Sequence, residues 1–330
     1  MKRALITGAL GQDGSYLSEH LLKLGYEVYG TVRMPPKLAD HYVPAVKYLY
    51  ADLRDNASLL KAIRQAQPHE IYNLAGQVFV PNSFTAPCET FDANTSGLAR
   101  IIQILEHLEM KKTRVYQAST SEMFGNILAG PGVIKLDEMV DMNPVSPYGV
   151  SKLAAHKLVD VYRQRGMFIV SGILFNHESP RRGIEMVTRK ISRHVARWAA
   201  GDMEVLRLGS IDSQRDWGFA GDFVEAMHLM LQQDRPEDYV IGTGEAHSID
   251  EFLTEAMKCA GIWCKIDQNL LQKNCKDLIR SPELHVLVAD YTRAKVELGW
   301  HPKHSFKELV KMMVEHDMKL IGMEAACTAS

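Results

Sequence analysis

The sequence predicts a doubly wound α/β fold, a parallel sheet with helices on both faces that carries a smaller α/β lobe. Three observations predict it. Short apolar runs alternate with helical patterns through the first half, the first run enters a glycine-rich turn, and the rhythm changes after about residue 176. The runs are Ala4–Thr7, Glu27–Val32, Val46–Ala51, Glu70–Leu74, Val115–Ser119 and Phe168–Leu174. Between them lie helical patterns over Asp13–Leu24, Asn56–Gln65, Glu89–His107 and Tyr148–Arg165. Parallel strands need crossovers of helix length, so this spacing calls for helices packed on both sheet faces. Strand, glycine turn, then helix at the start of such a sheet is the Rossmann pattern.

Beyond residue 176, helices are expected over Val187–Ala200, Phe223–Gln232, Ile249–Ala260 and Phe306–Leu320, separated by loops and short strands. Asp238–Ile241 reads as one more strand, returning to the first sheet. The expected division is therefore 1–176 with a return segment near 216–244, against a lobe of 177–215 and 245–330. The tail Gly322–Ser330 is small and polar, and is expected to fray.

Composition narrows the function. Hydrophobic residues make up 46% and charged residues 24%, enough apolar material for a large core and too much for a disordered chain. With 38 Lys+Arg against 40 Asp+Glu, the chain lacks the basic excess of a nucleic-acid binder. No run approaches the apolar length of a membrane span. The start, MKRALITGALGQ, turns polar too early for a signal peptide. The five cysteines form no CxxC and no paired framework, and no metal-ligand spacing is found. A reduced, cytoplasmic enzyme is the expectation.

Gly8, Gly11 and Gly14 follow the first strand in Gly8-Ala9-Leu10-Gly11-Gln12-Asp13-Gly14, which opens the first helix. Such a turn lets backbone approach a pyrophosphate, and the helix N-terminus supplies amide donors and a favourable dipole. A dinucleotide site follows. An NAD site wants an acid after the second strand, whereas this chain has Val32-Arg33, so a 2′-phosphate and NADP are favoured. Asp52 and Leu53 follow the third strand, where adenine would lie. Leu74, Ala75, Gly76 and Gln77 end the fourth, beside the ribose and nicotinamide.

Tyr148 and Lys152 stand at i and i+4, on one helix face. An ammonium beside a phenol favours the phenolate, making Tyr148 a candidate base assisted by Lys152. Tyr291 and Lys295 repeat the spacing but lie beyond the core sheet. Ser119-Thr120-Ser121-Glu122 closes the fifth strand and reads either as acid–base machinery or as a turn cluster. Phe175–Gly183 brings Asn176, His177 and Arg182 to the mouth of the cleft. Lys190, Arg215 and Arg280 are cations that could clamp a diphosphate.

These stretches resemble the GDP-mannose 4,6-dehydratase family of extended short-chain dehydrogenase/reductases. The resemblance is carried by ITGALGQDGSYL, EIYNLAGQ, YQASTSEMFG, SPYGVSKLAAH, GILFNHESPRRGIEMVTRKIS and QRDWGFAGDFVEAMHLMLQQ. It implies a Rossmann-type domain with a substrate-binding lobe, NADP as cofactor and a GDP-sugar substrate. It implies that Thr120 bonds the sugar C4 oxygen, Glu122 is the base at C5 and Tyr148 the base for the C4 hydroxyl. Lys152 holds the nicotinamide ribose, and His177 and Arg182 contact the cofactor. Asn176, Lys190, Arg215, Arg280 and Glu283 correspond to nucleotide-sugar contacts, and Ser83 and Ser121 join them as candidates. The alternatives are a GDP-4-keto-6-deoxymannose reductase or epimerase, and a 4,6-dehydratase for another nucleotide sugar. Helices 89–107 and 148–165 could form a homodimer bundle, with a homotetramer as the larger option.

Overall fold

The structure, a computed structural model, describes residues 1–126, 135–263, 267–279 and 286–328. Its centre is a seven-stranded parallel sheet. The strands are β1 (Arg3–Thr7), β2 (Glu27–Val32), β3 (Lys47–Tyr50), β4 (Glu70–Asn73), β5 (Arg114–Thr120), β6 (Ile169–Leu174) and β7 (Tyr239–Ile241). Their order across the sheet is β7-β6-β5-β4-β1-β2-β3. β7 pairs with β6 through Tyr239↔Gly172 and Ile241↔Leu174, so the chain does return to its first sheet. Each expected strand forms within about one residue of its expected bounds.

The helices are α1 (Gln12–Lys23), α2 (Asn56–Ala66), α3 (Gly97–His107), α4 (Pro147–Gln164), α5 (Val187–Ala199), α6 (Ala220–Met230), α7 (Ile249–Cys259) and α8 (Phe306–Thr328). Successive strand side chains point to opposite faces. Ala4 and Ile6 of β1 join Val28 and Val170 beneath Leu17, Leu21, Phe223 and Met227 of α1 and α6. Leu5, Ile71, Val115 and Ile169 face the other way, against Leu59, Ile63, Ile101, Leu105 and Val159 of α2, α3 and α4. The near-continuous apolar strands are thus covered twice. A third core joins α5, α7 and α8 through Ile191, Val195, Trp198, Phe252 and Met313.

Glu89–His107 forms within one unbroken right-handed helical run from Pro87 to His107, which carries a π-helical turn at Asp92–Ser96. Asp, Asn, Thr, Ser and Gly in the Asp92-Ala93-Asn94-Thr95-Ser96-Gly97 run are poor helix formers, which suits that local widening. One expectation needs correction. At the other end, α8 continues through Thr328 rather than fraying from Gly322. Met323, Glu324, Ala325 and Ala326 favour that extension.

Candidate active site

The glycine turn is built as a cradle. Gly8 has φ +70°, a backbone conformation that L side chains rarely adopt. Gly11 N donates to Gly8 O at 3.0 Å, and a Cβ on Gly14 would lie 2.3 Å from that same oxygen. The tip of β1 is fixed by Thr7, whose hydroxyl donates to Asn73 Oδ1 (2.8 Å) and accepts from Leu74 N and Ala75 N (3.0 Å each). Beside it opens a cleft of about 860 Å³. Gly8, Leu10, Gly11, Gln12, Asp13, Arg33, Asp52, Leu53, Leu74, Ala75, Gly76, Gln77 and Arg182, all named from the sequence, line it. That fits an elongated dinucleotide. Gln77 Oε1 is buried in the cleft wall without a hydrogen-bond partner, an acceptor available to a ligand.

Arg54 was not anticipated. Its Nε and Nη2 donate to Asp52 at 3.1 and 2.9 Å, and its backbone N adds a third bond at 2.9 Å. These Arg54 bonds hold Asp52 down to about 2 against the opposing effect of burial, and Arg33 contributes from nearby. Arg33, after β2, stands where NAD sites have an acid, and Arg54 lines the same cleft with its guanidinium paired to Asp52. The sign for finding Arg54 was an Arg two residues beyond a candidate adenine contact.

The candidate acid–base groups lie at the carboxyl end of β5 and the start of α4. Ser146 caps α4, accepting from Gly149 N at 3.0 Å, and Pro147 occupies the first turn. Tyr148 and Lys152 are both buried there. Thr120 and the Glu122 carboxylate both act on the Tyr148 phenol, Thr120 favouring its ionisation and Glu122 opposing it. Thr120 also accepts from Glu122 N at 3.2 Å. The structure thus brings Thr120, Glu122, Tyr148 and Lys152 to one place, with Ser121 buried beside them.

The electrostatics differ from the sequence expectation that Lys152 lowers the Tyr148 phenol. Burial pushes Tyr148 up to about 12, and Thr120 and Arg182 are the groups that pull it down. Lys152 keeps its Nζ 5.9 Å from the phenol ring and donates to Ala118 O at 2.9 Å. Burial lowers Lys152 itself to about 8. An ammonium that is itself costly to charge is a weak lever on its neighbour.

Asn94, in the π-helical turn, is the second group the sequence reading did not single out as functional. Its Oδ1 accepts from Gln77 N (2.9 Å), and its Nδ2 donates to Gln77 O (3.1 Å) and Ser151 Oγ (3.0 Å). It braces the Gly76–Gln77 corner against α4. The low-propensity run around it was the available signal.

His177, like Thr120, Glu122, Tyr148 and Lys152, lies outside the lining of the dinucleotide cleft. It lies on a short strand, Asn176–Glu178, paired with Trp217–Phe219. Its Nδ1 meets Phe175 O at 2.8 Å and its Nε2 meets Asp13 Oδ2 at 2.8 Å. Arg182 leans on buried Glu178 at 3.1 Å, and Glu178 accepts from Thr188 at 2.6 Å. Arg215 is buried two residues before Trp217, donating to Gln214 O at 2.8 Å, so it neighbours the strand of Asn176. Lys190, on α5, donates to Arg207 O at 2.7 Å. Ser83 is fully buried with its hydroxyl on Val80 O. Arg280 and Glu283 lie outside the described residues.

A glycine-turn Rossmann sheet with a buried Tyr-x-x-x-Lys pair at the end of β5 defines an extended short-chain dehydrogenase/reductase. Solved structures share the architecture over nearly the whole chain. The Thermus thermophilus UDP-glucose 4-epimerase complex with NAD superposes with a TM-score of 0.84 at 26% identity, covering 96% of this chain and 98% of that one. DesIV, the dTDP-glucose 4,6-dehydratase of Streptomyces venezuelae, gives 0.82 at 22% identity, over 97% and 98%. The family model described as GDP-mannose 4,6 dehydratase matches residues 5–313, and the chain belongs to that family. The human GDP-mannose 4,6 dehydratase is 41% identical over 346 residues, covering 96% of this chain and 92% of its own. GDP-mannose 4,6 dehydratase 2 of Arabidopsis thaliana is 42% identical over 343 residues, covering 98% and 88%.

Proposed function

We propose that this chain is an NADP-dependent GDP-mannose 4,6-dehydratase, converting GDP-mannose to GDP-4-keto-6-deoxymannose. Family membership at about 40% identity over nearly the full length supports the reaction. The observation that carries it is local: Thr120, Glu122 and Tyr148 stand together, a hydroxyl, a carboxylate and a phenol in mutual reach. Dehydration needs a base at C5 in addition to the one at the C4 hydroxyl. A 4-keto reductase or an epimerase on this scaffold does not need Glu122.

The cofactor reading rests on the cradle of Gly8, Gly11 and Gly14, and NADP over NAD on Arg33 and Arg54. When bound, the nicotinamide supplies a hydride acceptor for C4 and a donor to C6, so no net cofactor is consumed. The protein does the rest. Tyr148 takes the C4 hydroxyl proton while Thr120 holds the C4 oxygen. The resulting ketone acidifies the C5 proton, which Glu122 removes. That proton and the departing C6 hydroxyl make the water lost, and the proton Tyr148 took would return to C5 as C6 is reduced, which restores the C5–H bond. Lys152 would bond the nicotinamide ribose, and Asn176, Lys190 and Arg215 would contact the nucleotide sugar.

Mass spectrometry of GDP-mannose incubated with the protein tests the reading. Loss of one water with no net change in NADPH is expected, and Glu122→Gln should keep cofactor binding while losing dehydration. Full turnover by Glu122→Gln would sink the mechanism. Unchanged GDP-mannose, with NADPH consumed on GDP-4-keto-6-deoxymannose, would establish the reductase instead. The oligomer read here is a homodimer through α3 and α4, where Val150 and Val161 are exposed. A monomer by sedimentation at micromolar concentration would refute it.

A further inference from the structure

His177 is held between the Phe175 carbonyl oxygen, 2.8 Å from Nδ1, and Asp13 Oδ2, 2.8 Å from Nε2. Asp13 lies in the first turn of α1, where the helix dipole favours its ionised form, which only accepts. A neutral imidazole donates from one nitrogen only, so with Asp13 ionised both contacts are satisfied only when both nitrogens carry hydrogen. The ring also stacks on Phe223 of α6, with centroids 4.7 Å apart and planes 25° apart. Gln12 closes the arrangement. Its amide donates to Asp13 Oδ1 and to His177 O, both at 3.1 Å, and accepts from Ser179 at 2.8 Å.

We infer that His177 is an imidazolium at neutral pH and that Asp13 serves as its counter-ion, acting on cofactor binding through charge balance rather than as a ligand. Asp13 sits in the first turn of α1, the helix whose N-terminus receives the pyrophosphate in the proposed function. An unpaired carboxylate there would repel that anion. Paired with His177, it contributes almost no net charge, and the amides and dipole of the helix N-terminus remain free to act. Arg182 opposes charge on His177 and favours it on Asp13, while the buried Lys152, Tyr148 and Tyr116 sense Asp13 from α4 and β5. Burial opposes the imidazolium, but the charge of Asp13 and the ring's hydrogen bonds to Asp13 and to Phe175 O more than offset it, so His177 lies above its ordinary 6.5. Burial likewise opposes the carboxylate, and His177 brings Asp13 below 3.8.

The charge state of the pair is independent of the reaction catalysed, whereas its consequence for the cofactor rests on the proposed function, and two readouts separate them. Imidazole nitrogen NMR of the full chain, with His177 assigned by His177→Gln, should show both ring nitrogens protonated at pH 7. Asp13→Asn should lower the His177 midpoint by about 1–3 pH units. A singly protonated His177 at pH 7, or an unmoved midpoint, would overturn the pair. The NADP⁺ dissociation constant is then measured by fluorescence titration. His177→Gln should weaken binding about tenfold, the scale of one uncompensated charge in a cleft. Adding Asp13→Asn to His177→Gln should restore most of it. A double variant as weak as the single would make His177 a direct ligand and overturn the counter-ion role. If a variant does not fold, the native titration decides the charge state by itself. GDP-mannose turnover is scored separately, so failure of the proposed reaction leaves these two readouts intact.

Discussion

Tyr148–Lys152 and Tyr291–Lys295 have the same spacing, yet the fold treats them as opposites. The first pair begins α4 at the end of β5, with both residues buried and Thr120 acting on the Tyr148 phenol. Tyr291 precedes the short helix Thr292–Glu297, its ring edge-on to Trp300 at a 5.8 Å centroid distance, and Lys295 is exposed. The second pair is packing and solvent. A pattern at i and i+4 places two side chains on one face, but burial and the neighbouring strand end decide whether that face does chemistry.

The largest test of this contrast is removal of the two phenol hydroxyls. Tyr148→Phe should reduce kcat by about 10²–10⁴-fold, the usual worth of a positioned acid–base group. Tyr291→Phe should leave it unchanged. Comparable losses in the two variants would show that the Tyr291 helix takes part in the reaction. Next come the two lysines, read by stability. Burial lowers Lys152 from 10.5 to about 8, which corresponds to roughly 3 kcal/mol of penalty at neutral pH. Losing the bond to Ala118 O takes back about 1 kcal/mol. Lys152→Met should therefore be more stable by about 2 kcal/mol and impaired in turnover, while Lys295→Met moves neither.

The pH dependence of that gap has a definite sign. A lysine with a depressed folded pKa binds fewer protons when folded, so native stability gains from Lys152 as pH rises from about 8 to 10.5. The advantage of Lys152→Met should be greatest below pH 8 and should close by pH 10.5, as measured by denaturant melts. For His177 the sign is the opposite. Its raised pKa gives stability that is complete below 6.5 and is lost as pH rises through the elevated folded value.

The same contrast explains what was legible in the sequence. The sheet was readable because buried parallel strands are nearly continuous apolar runs and the crossovers have helix length; even β7, distant in sequence, announced itself in Tyr239–Ile241. Tyr148, Lys152, Thr120 and Glu122 were readable because each sits at a strand end or helix start. Contacts across the fold were not. Nothing in the spacing joins Asp13 to His177, 164 positions apart, or Asn94 to Gln77 and Ser151. The phenol's electrostatics also escaped, because they depend on burial, which moves Tyr148 and Lys152 in directions that Tyr-x-x-x-Lys spacing does not reveal.

A smaller effect follows from Asn94, a brace that supports the first pair. Asn94→Ala would leave the Gln77 backbone N–H and C=O without their side-chain partners, costing about 1–3 kcal/mol, by chemical denaturation. Its activity loss should appear mainly where the Gln77 corner lines the dinucleotide cleft, as weaker nicotinamide-dinucleotide binding.

The smallest effect belongs to Tyr291→Phe read by stability. The phenylalanine keeps the ring that packs edge-on against Trp300 and touches the core of the first sheet face. Among the described residues the Tyr291 hydroxyl has no side-chain hydrogen bond shown, so its removal subtracts little. A shift within about 0.5 kcal/mol is expected, the range of substitutions that disturb no cavity, cap or buried polar group. Tyr291→Ala, by contrast, empties the ring's place beside Trp300 and should destabilise by about 2 kcal/mol or more. That ordering, ring over hydroxyl at Tyr291 and hydroxyl over ring at Tyr148, is the contrast between packing and chemistry expressed in one residue type.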